Sequence, residues 1–239
     1  MLVAVAIFLV IGSAIFSLIS ISQTRFTAES GFEDTFQSGR TALDQMIRDV
    51  HNAGYPPANL FTPATGNATP QLVAMPFAWM PNYPATPCTL ASNCTSPTGF
   101  DIIVETNVDP QSSSSVEWVR YRLNGTTLER GQATKNLAAG HDPVTDTGAV
   151  MTTFVENVMN NPGASTITAI QKVYPTLFPG NVAVPVFTYT IDSGANSDPT
   201  NIREVNITLI LQAPFADSST NQKRMVALTG QARRENPRK

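Results

Sequence analysis

The stretch that decides the fold is MLVAVAIFLVIGSAIFSLISISQTRF, residues 1–26. Residues 1–24 contain no Lys, Arg, Asp or Glu, and the first charged side chain is Arg25. A helix that spans a bilayer needs roughly 20 mostly apolar residues, so this run is long enough. A secretory signal peptide has a basic start and a small-residue cleavage site, and neither is evident here. We therefore predict a membrane-spanning helix over residues 1–24 that the protein keeps; an uncleaved signal peptide is the alternative.

The next segment, residues 25–55, predicts an amphipathic continuation of the same helix. Its apolar side chains recur at spacings of three, four and seven residues, which places them on one helical face. Gly54 can take the left-handed conformation that ends a helix, and Pro56 and Pro57 cannot continue one. The whole helix would be roughly 75 Å long, with Gly12 and Gly31 as weak points. We expect the second half to pack against a sheet through Phe36, Leu43, Met46, Ile47 and Val50.

The remaining sequence predicts a loop region over residues 56–100 and an antiparallel β domain with a C-terminal tail over residues 101–239. The loop region is rich in Pro and Thr, with one short strand expected at QLVAM, residues 71–75. Asn124-Gly125 predicts a two-residue hairpin turn, and Val205, Ile207, Leu209 and Leu211 alternate as one strand face. A helix or turn is expected at AVMTTFVENVMN, residues 149–160. The fold class is therefore α+β, with a long helix packed on one antiparallel sheet of about five to seven strands.

The two cysteines of the 239-residue chain, Cys88 and Cys94, lie close together in CTLASNC. The net charge is only −3 and charged residues make up 14 % of the chain, a composition that suits an exported protein. In an oxidising compartment we expect the two cysteines to close a small disulfide loop; two free thiols are the alternative.

Motifs for catalysis and for cofactor binding are absent from the sequence. It contains no G-x-S-x-G, P-loop or H-E-x-x-H pattern. His141-Asp142 lacks a placed nucleophile, and the acidic loop with Asp192 and Asp198 lacks the regular ligand spacing of an EF-hand. We therefore predict no enzyme activity, no cofactor, no metal site and no small-molecule substrate. The basic C-terminal residues lack interleaved aromatic side chains, so we do not expect nucleic-acid binding.

The apolar helix followed by GRTALDQMIRDVHNAGYP, residues 39–56, resembles the type IV pilin and pseudopilin families, most closely the PilW-like minor pilins. Those proteins carry a segment of the form R-x-A-L-x-x-x-x-R-D-h-x-x-A-G-Y after the helix, where h is apolar. The resemblance covers about 55 residues. The residues of this chain that fill the motif are Arg40, Ala42, Leu43, Arg48, Asp49, Ala53, Gly54 and Tyr55.

One part of the family pattern has no counterpart in this sequence. Family members have a short basic leader, a Gly at the peptidase site, a methylated aromatic residue and an early Glu before a run such as MLVAVAIFLV. We expect that the start was assigned too late, at a Met inside the motif, rather than that the chain is a truncated relative.

The resemblance implies a structural subunit that is anchored in the inner membrane, with its C-terminal domain in the periplasm, before it joins a pilus. It implies a priming or tip position, contacts with major and minor subunits through the N-terminal helix, and an indirect dependence on an assembly platform and its ATPase. The alternatives are a minor pseudopilin of type II secretion and a membrane-anchored extracytoplasmic domain that never polymerises. The helix-packing residues expected from this are Leu2, Val5, Phe8, Leu9, Gly12 and Phe16.

Overall fold

A long helix and two antiparallel sheets form the framework of the computed structural model, which is consistent with the predicted α+β class. The structure describes residues 2–57, 71–80, 82–111, 115–217 and 220–235, without the side chain of Leu2. Much of the predicted loop region, residues 58–70, lies outside these ranges, as do Arg238 and Lys239 of the basic C-terminus.

Helix α1 is continuous from Leu2 to His51, so the predicted weak points at Gly12 and Gly31 do not break it. At 1.5 Å per residue it is about 75 Å long. Beyond its end Gly54 has a φ of 81°, the left-handed conformation predicted for this position. The Gly54 amide then donates to the Glu105 carbonyl at 2.8 Å, which joins the end of the helix to the first strand.

The first sheet has four antiparallel strands in the order β1-β2-β3-β4. The predicted hairpin between β2 and β3 is present, but its two loop residues are Gly125 and Thr126, because Asn124 still pairs with Thr127. The prediction was therefore one residue early, since Gly125 takes the positive φ at the first loop position. The strand bounds are Asp101–Thr106 (β1), Glu117–Asn124 (β2), Thr127–Thr134 (β3) and Thr152–Val155 (β4).

The second sheet has three antiparallel strands in the order β5-β6-β7, so the prediction of one sheet was wrong. The segment between β4 and β5 connects the two sheets, because the Val158 amide donates to the Thr126 carbonyl at 2.8 Å and Val158 forms a bridge with Leu211. Alternation in a sequence marks a strand but not its partner, which is why the division was missed. The bounds are Phe187–Ile191 (β5), Ile202–Ala216 (β6) and Lys223–Arg233 (β7).

Two short helices, α2 (Pro143–Gly148) and α3 (Ala164–Gln171), lie among the connections. Two local predictions were wrong. The segment expected as a helix or turn contains β4, because the β-branched pair Thr152 and Thr153 extends the sheet beside β3. The expected strand at residues 71–75 is a turn and coil, and the bridge to β1 comes slightly later, at Phe77.

One main core lies where α1 crosses the sheets. The alternating face predicted for β6 is confirmed, because all four of its side chains are buried in this core. The helix supplies a second row of buried side chains, and α1 contacts both β6 and β7. The helix residues in this core are Ala42, Leu43, Met46, Val50 and Ala53.

Candidate membrane and assembly surface

The first half of α1 is an apolar cylinder that no other described part of the chain covers. Every described side chain from residue 3 to residue 24 is exposed. Phe8 is 75 % exposed and Phe16 is 74 % exposed. In the part of the chain that the structure describes, one helix is long and apolar enough to cross a membrane, with a mean hydropathy of 2.6 in its most apolar window. Water-soluble monomers rarely expose so large an apolar surface, so this half points to a lipid or protein environment.

Two polar side chains within this half, Ser13 and Thr24, are bonded to the backbone of their own helix. The Ser13 hydroxyl donates to the Val10 carbonyl at 2.9 Å, and the Thr24 hydroxyl donates to the Ser20 carbonyl at 2.9 Å. The helical backbone satisfies its own N–H and C=O groups in the same way. An apolar surface with its polar groups satisfied internally is what a bilayer requires of a spanning segment.

The helix-packing residues predicted from the sequence all lie on this exposed cylinder. Val5, Phe8, Leu9, Gly12 and Phe16 make no contact with the sheets, and the side chain of Leu2 lies outside the described residues. An added Cβ at Gly12 would meet nothing within 4 Å. The described side chains at these positions therefore take no part in the packing of α1 on the sheets.

The second half of α1 is fixed to the sheets. Leu43, Met46 and Val50 are buried, and Ile47 packs partly buried against the same core. Phe36 is only half-buried, and its ring stacks on Phe32 with centroids 6.4 Å apart. The predicted packing face thus meets the sheets mainly in its last three turns.

Two glycines let the helix approach the second sheet closely. An added Cβ at Gly39 of the helix would overlap Leu211 Cδ1 and lie 3.2 Å from Leu228 Cδ1. From the other side, a Cβ at Gly230 of β7 would lie 2.8 Å from Ile47 Cδ1. The sequence analysis missed both, although Gly39 opens the family-like segment.

Asp49 of the family-like motif ties α1 to the first sheet. Its carboxylate is 5 % exposed and accepts from the Tyr121 hydroxyl at 2.5 Å and from Gln45 Nε2 at 2.8 Å. Arg130 lies 3.5 Å from the same carboxylate and donates to the Tyr121 hydroxyl at 3.1 Å. Burial, followed by the Asp49 charge, raises the pKa of Tyr121. The phenol therefore stays protonated and holds helix and sheet together.

The rest of the motif divides into buried and exposed positions. Ala53 is fully buried, and the Tyr55 carbonyl accepts from the Asn107 amide at 2.9 Å, beside β1. Arg40 and Arg48 are exposed on the helix, and among the described residues neither forms an ion pair. The two arginines thus face outward, whereas the motif residues Ala42, Leu43 and Asp49 of the same helix face the domain.

A buried ion pair holds the 71–80 segment on the first sheet. Lys135 Nζ lies 2.8 Å from a Glu105 carboxylate oxygen and also donates to the Val73 carbonyl at 2.9 Å. Glu105 accepts further bonds from the Met75 amide and from Trp118 Nε1. Burial raises the pKa of Glu105. This ion pair was not predicted from the sequence. Its one local cue is a charged residue, Glu105, directly after the apolar residues of strand β1.

The loop tip is covered by aromatic rings and closed by a disulfide. Cys88 and Cys94 form a disulfide, with their Cα atoms 5.0 Å apart. Tyr83 packs edge-on between Trp79 and Trp118, with ring centroids 5.1 Å and 6.0 Å away. The described part of the loop region is therefore packed onto the first sheet around Trp79 and Tyr83.

The candidate catalytic pair His141-Asp142 and the candidate metal loop with Asp198 form ordinary surface contacts. His141 Nδ1 lies 2.9 Å from Asp146, not beside Asp142, whose carboxylate caps α2 instead. Asp198 caps a single turn through the Thr200 amide. No group of three or more metal-ligating side chains occurs within the described ranges.

A cleft of about 600 Å³ opens at the end of α1 farthest from the apolar half. It mixes cationic and anionic side chains, and His51 Nδ1 lies 3.9 Å from Glu235 Oε1, beyond hydrogen-bond distance. Its described lining residues include no serine, threonine, cysteine or lysine that would serve as a nucleophile. They are His51, Asp192, Arg203, Arg233, Arg234 and Glu235.

Comparison with family models, with curated proteins and with solved structures returned no match for this chain.

Proposed function

We propose that the protein is a minor pilin-like structural subunit of a type IV pilus, in a priming or tip position. It is held in the inner membrane by the first half of α1, with the remaining domain in the periplasm, before it enters the filament. In the filament the same apolar cylinder packs against the helices of neighbouring major and minor subunits. An assembly platform and its ATPase act on it indirectly.

The observation that carries the proposal is the division of α1 into a bare half and a packed half. The side chains of residues 3–24 are exposed and mostly apolar, whereas the inner face of the second half is buried in the core of the domain through Ala42, Leu43, Met46, Val50 and Ala53. Because the helix is continuous, any force on the bare half is transmitted to the folded domain without a hinge. This suits a subunit that is first anchored and then withdrawn and stacked by its helix.

Small side chains give the bare half a place for close helix contact. Gly12, Ser13 and Ala14 follow one another within the apolar run. In lipid, small residues favour helix association because they let the backbones approach. Among the described residues, a Cβ at Gly12 would meet nothing within 4 Å, so the space beside this glycine is open to a neighbouring helix.

The test uses the full chain in its native host, comparing Gly12→Leu with Val10→Leu. Both variants keep the segment apolar, so membrane insertion should persist. We expect the parent chain and Val10→Leu in sheared surface filaments, and Gly12→Leu only in the inner membrane, because the leucine blocks close approach. Val10 is exposed on the same cylinder, which makes it the matched control.

A parent chain that never leaves the membrane of piliated cells would overturn the proposal and identify a fixed anchor. Deletion of the gene separates the two filament types. Loss of piliation is the expected result, whereas loss of protein secretion with normal piliation would assign the chain to a type II secretion pseudopilus.

A further inference from the structure

The β6–β7 hairpin runs back along α1 toward the apolar half. Leu211 of β6 lies against Gly39, and Phe215 lies against Gly31, where an added Cβ would be 3.0 Å from the ring. Eight helical residues span about 12 Å, and four strand residues span about 13 Å. The two distances agree, so β6 lies alongside the helix and points toward its N-terminal end.

The turn end of this hairpin, at Asp217 and Gln222, is called the hairpin tip. It therefore reaches the position along the α1 axis at which the apolar half of the helix ends. Asp217 and Gln222 close the hairpin through a backbone bond of 2.9 Å. Asp217 lies two residues beyond Phe215, or about 7 Å further along the helix. The contacts of Arg224 agree with this position of the hairpin tip along α1, because Arg224 lies 3.2 Å from Glu29 of the helix and 3.3 Å from Asp217 of the hairpin.

That level coincides with the headgroup layer of a bilayer that holds residues 3–24. The hydrocarbon core is about 30 Å thick and accommodates about 20 helical residues, and each headgroup layer adds about 6 Å. Helix residues 25–29 fall within that layer when the uncharged segment fills the core. The hairpin tip stands beside these same residues.

The side chains at this level suit an interface between lipid and water. Phe26 is 75 % exposed and Phe215 is 52 % exposed. Phe215 lies in a bulge, because the three residues 213–215 oppose only Arg224 on β7. One side of its ring packs against Gly31, and the rest stays exposed. Arg25 and Lys223 are exposed cations at the same level, while Glu29 and Asp217 both pair with Arg224.

We propose that the β6–β7 hairpin tip and the adjoining turn of α1 form a second membrane contact, seated in the lipid headgroup layer. Phe26 and Phe215 lie at the boundary of the acyl chains, and Arg25 and Lys223 meet lipid phosphates. This contact sets the depth and rotation of the subunit in the membrane. The proposal rests on the proposed anchoring of α1.

The test is depth measurement by spin labelling of the full chain in phosphatidylcholine vesicles containing phosphatidylglycerol. Both native cysteines are in the disulfide, so an added cysteine is labelled alone. The label is placed at Thr220→Cys on the hairpin tip, at Thr190→Cys toward the opposite end of the same sheet, and at Ser17→Cys within the apolar half. All three positions are exposed, and the two threonines form a matched pair.

We expect the Ser17 label inside the hydrocarbon, the Thr220 label at headgroup depth and the Thr190 label in water. A Thr220 label as accessible to water-soluble relaxation agents as the Thr190 label would overturn the hairpin contact and leave the anchoring intact. A Ser17 label in water would overturn both this inference and the proposed anchoring.

A second pair of variants tests whether Phe215 makes the contact. In the Thr220→Cys background, Phe215→Ser should shift the label from headgroup depth into water. Val182→Ser removes an exposed apolar side chain away from the hairpin tip and should leave the label depth unchanged. An unchanged depth after Phe215→Ser would contradict the assigned role of that ring.

Discussion

The close approach of α1 to the second sheet depends on the missing side chain of Gly39. We predict that Gly39→Ala lowers the free energy of unfolding by about 1 kcal/mol. Alanine improves helix propensity by about 1 kcal/mol, but the new Cβ overlaps Leu211 Cδ1 in the core. Overpacking of this kind costs about 1–3 kcal/mol, and Leu211 is buried and has little room to move.

The effect of Gly39→Ala on the free energy of unfolding should change sign when Leu211 is also replaced. Leu211→Ala alone should cost about 2–5 kcal/mol, as for other buried leucines. It also removes the atom that clashes, so in that background Gly39→Ala should raise the free energy of unfolding by about 1 kcal/mol. The expected coupling between the two positions is therefore about 2 kcal/mol.

The assay is guanidinium unfolding of the full chain in mild detergent, followed by the fluorescence of the buried Trp79 and Trp118. Ser38→Ala is the control, because Ser38 is exposed beside Gly39 and gains only propensity. A Gly39→Ala variant that is stabilised, or that shifts equally in both backgrounds, would refute the packing argument.

Glu105→Gln removes one partner of the buried Glu105–Lys135 pair and should lower the free energy of unfolding by about 3–5 kcal/mol in the same assay. Adding Lys135→Met should recover most of this loss, because no unpaired buried charge is then left. A double variant as unstable as the single one would contradict this. Cys88→Ala with Cys94→Ala opens a short ring, and loop-closure entropy predicts a loss of about 2 kcal/mol, read as a lower unfolding midpoint; an unmoved midpoint would argue against a stabilising disulfide. The pKa of Tyr189 is raised well above 10.0 by burial and by the Asp101 charge. The folded state therefore keeps a proton that the unfolded chain loses, and stability present below about pH 10 falls as the pH rises above it, by about 1.4 kcal/mol per pH unit. Tyr189→Phe should remove its contribution from the slope of unfolding free energy against pH between pH 9 and 11 and leave that of Tyr121, whose pKa is also raised; identical slopes in both proteins would count against it.

Features with a short sequence period were predictable, because their cause is local. The length of α1 follows from an uncharged run joined to an amphipathic one, and its end follows from Gly54 and the prolines. The β6 face follows from strict alternation, which a half-buried strand requires.

Features set by distant partners were not predictable from one sequence. Glu105 and Lys135 meet across 30 positions, and nothing local to Lys135 marks it as buried. The division into two sheets depends on which edges meet, and β4 forms because an existing edge recruits a short β-branched run. The closeness of Gly39 to Leu211 likewise appears only once the helix is laid on the sheet.

For the same reason, only part of the candidate site could be predicted from the sequence. The apolar half was evident from composition, because its exposure requires no partner within the chain. The family-like motif was visible as a pattern, but not the role of its members. Asp49 is a buried acceptor that joins helix and sheet, whereas Arg40 and Arg48 are exposed. The spacing of three from Met46 places Asp49 on the buried face, but it does not name Tyr121 and Arg130 as its partners.

The geometry of α1 also separates folding from assembly along a single helix. Substitutions at residues 3–24 change side chains that contact no other part of the described domain, so they should leave its unfolding free energy unaltered. Substitutions at Leu43, Met46 and Val50 act first on the core and only through it on any partner. The turns at residues 25–32 serve both folding and assembly. The β6–β7 hairpin packs against them, while Phe26 remains exposed to an outside partner. A variant in these turns that keeps a wild-type unfolding curve but loses membrane depth or filament entry would act on the boundary between the two roles.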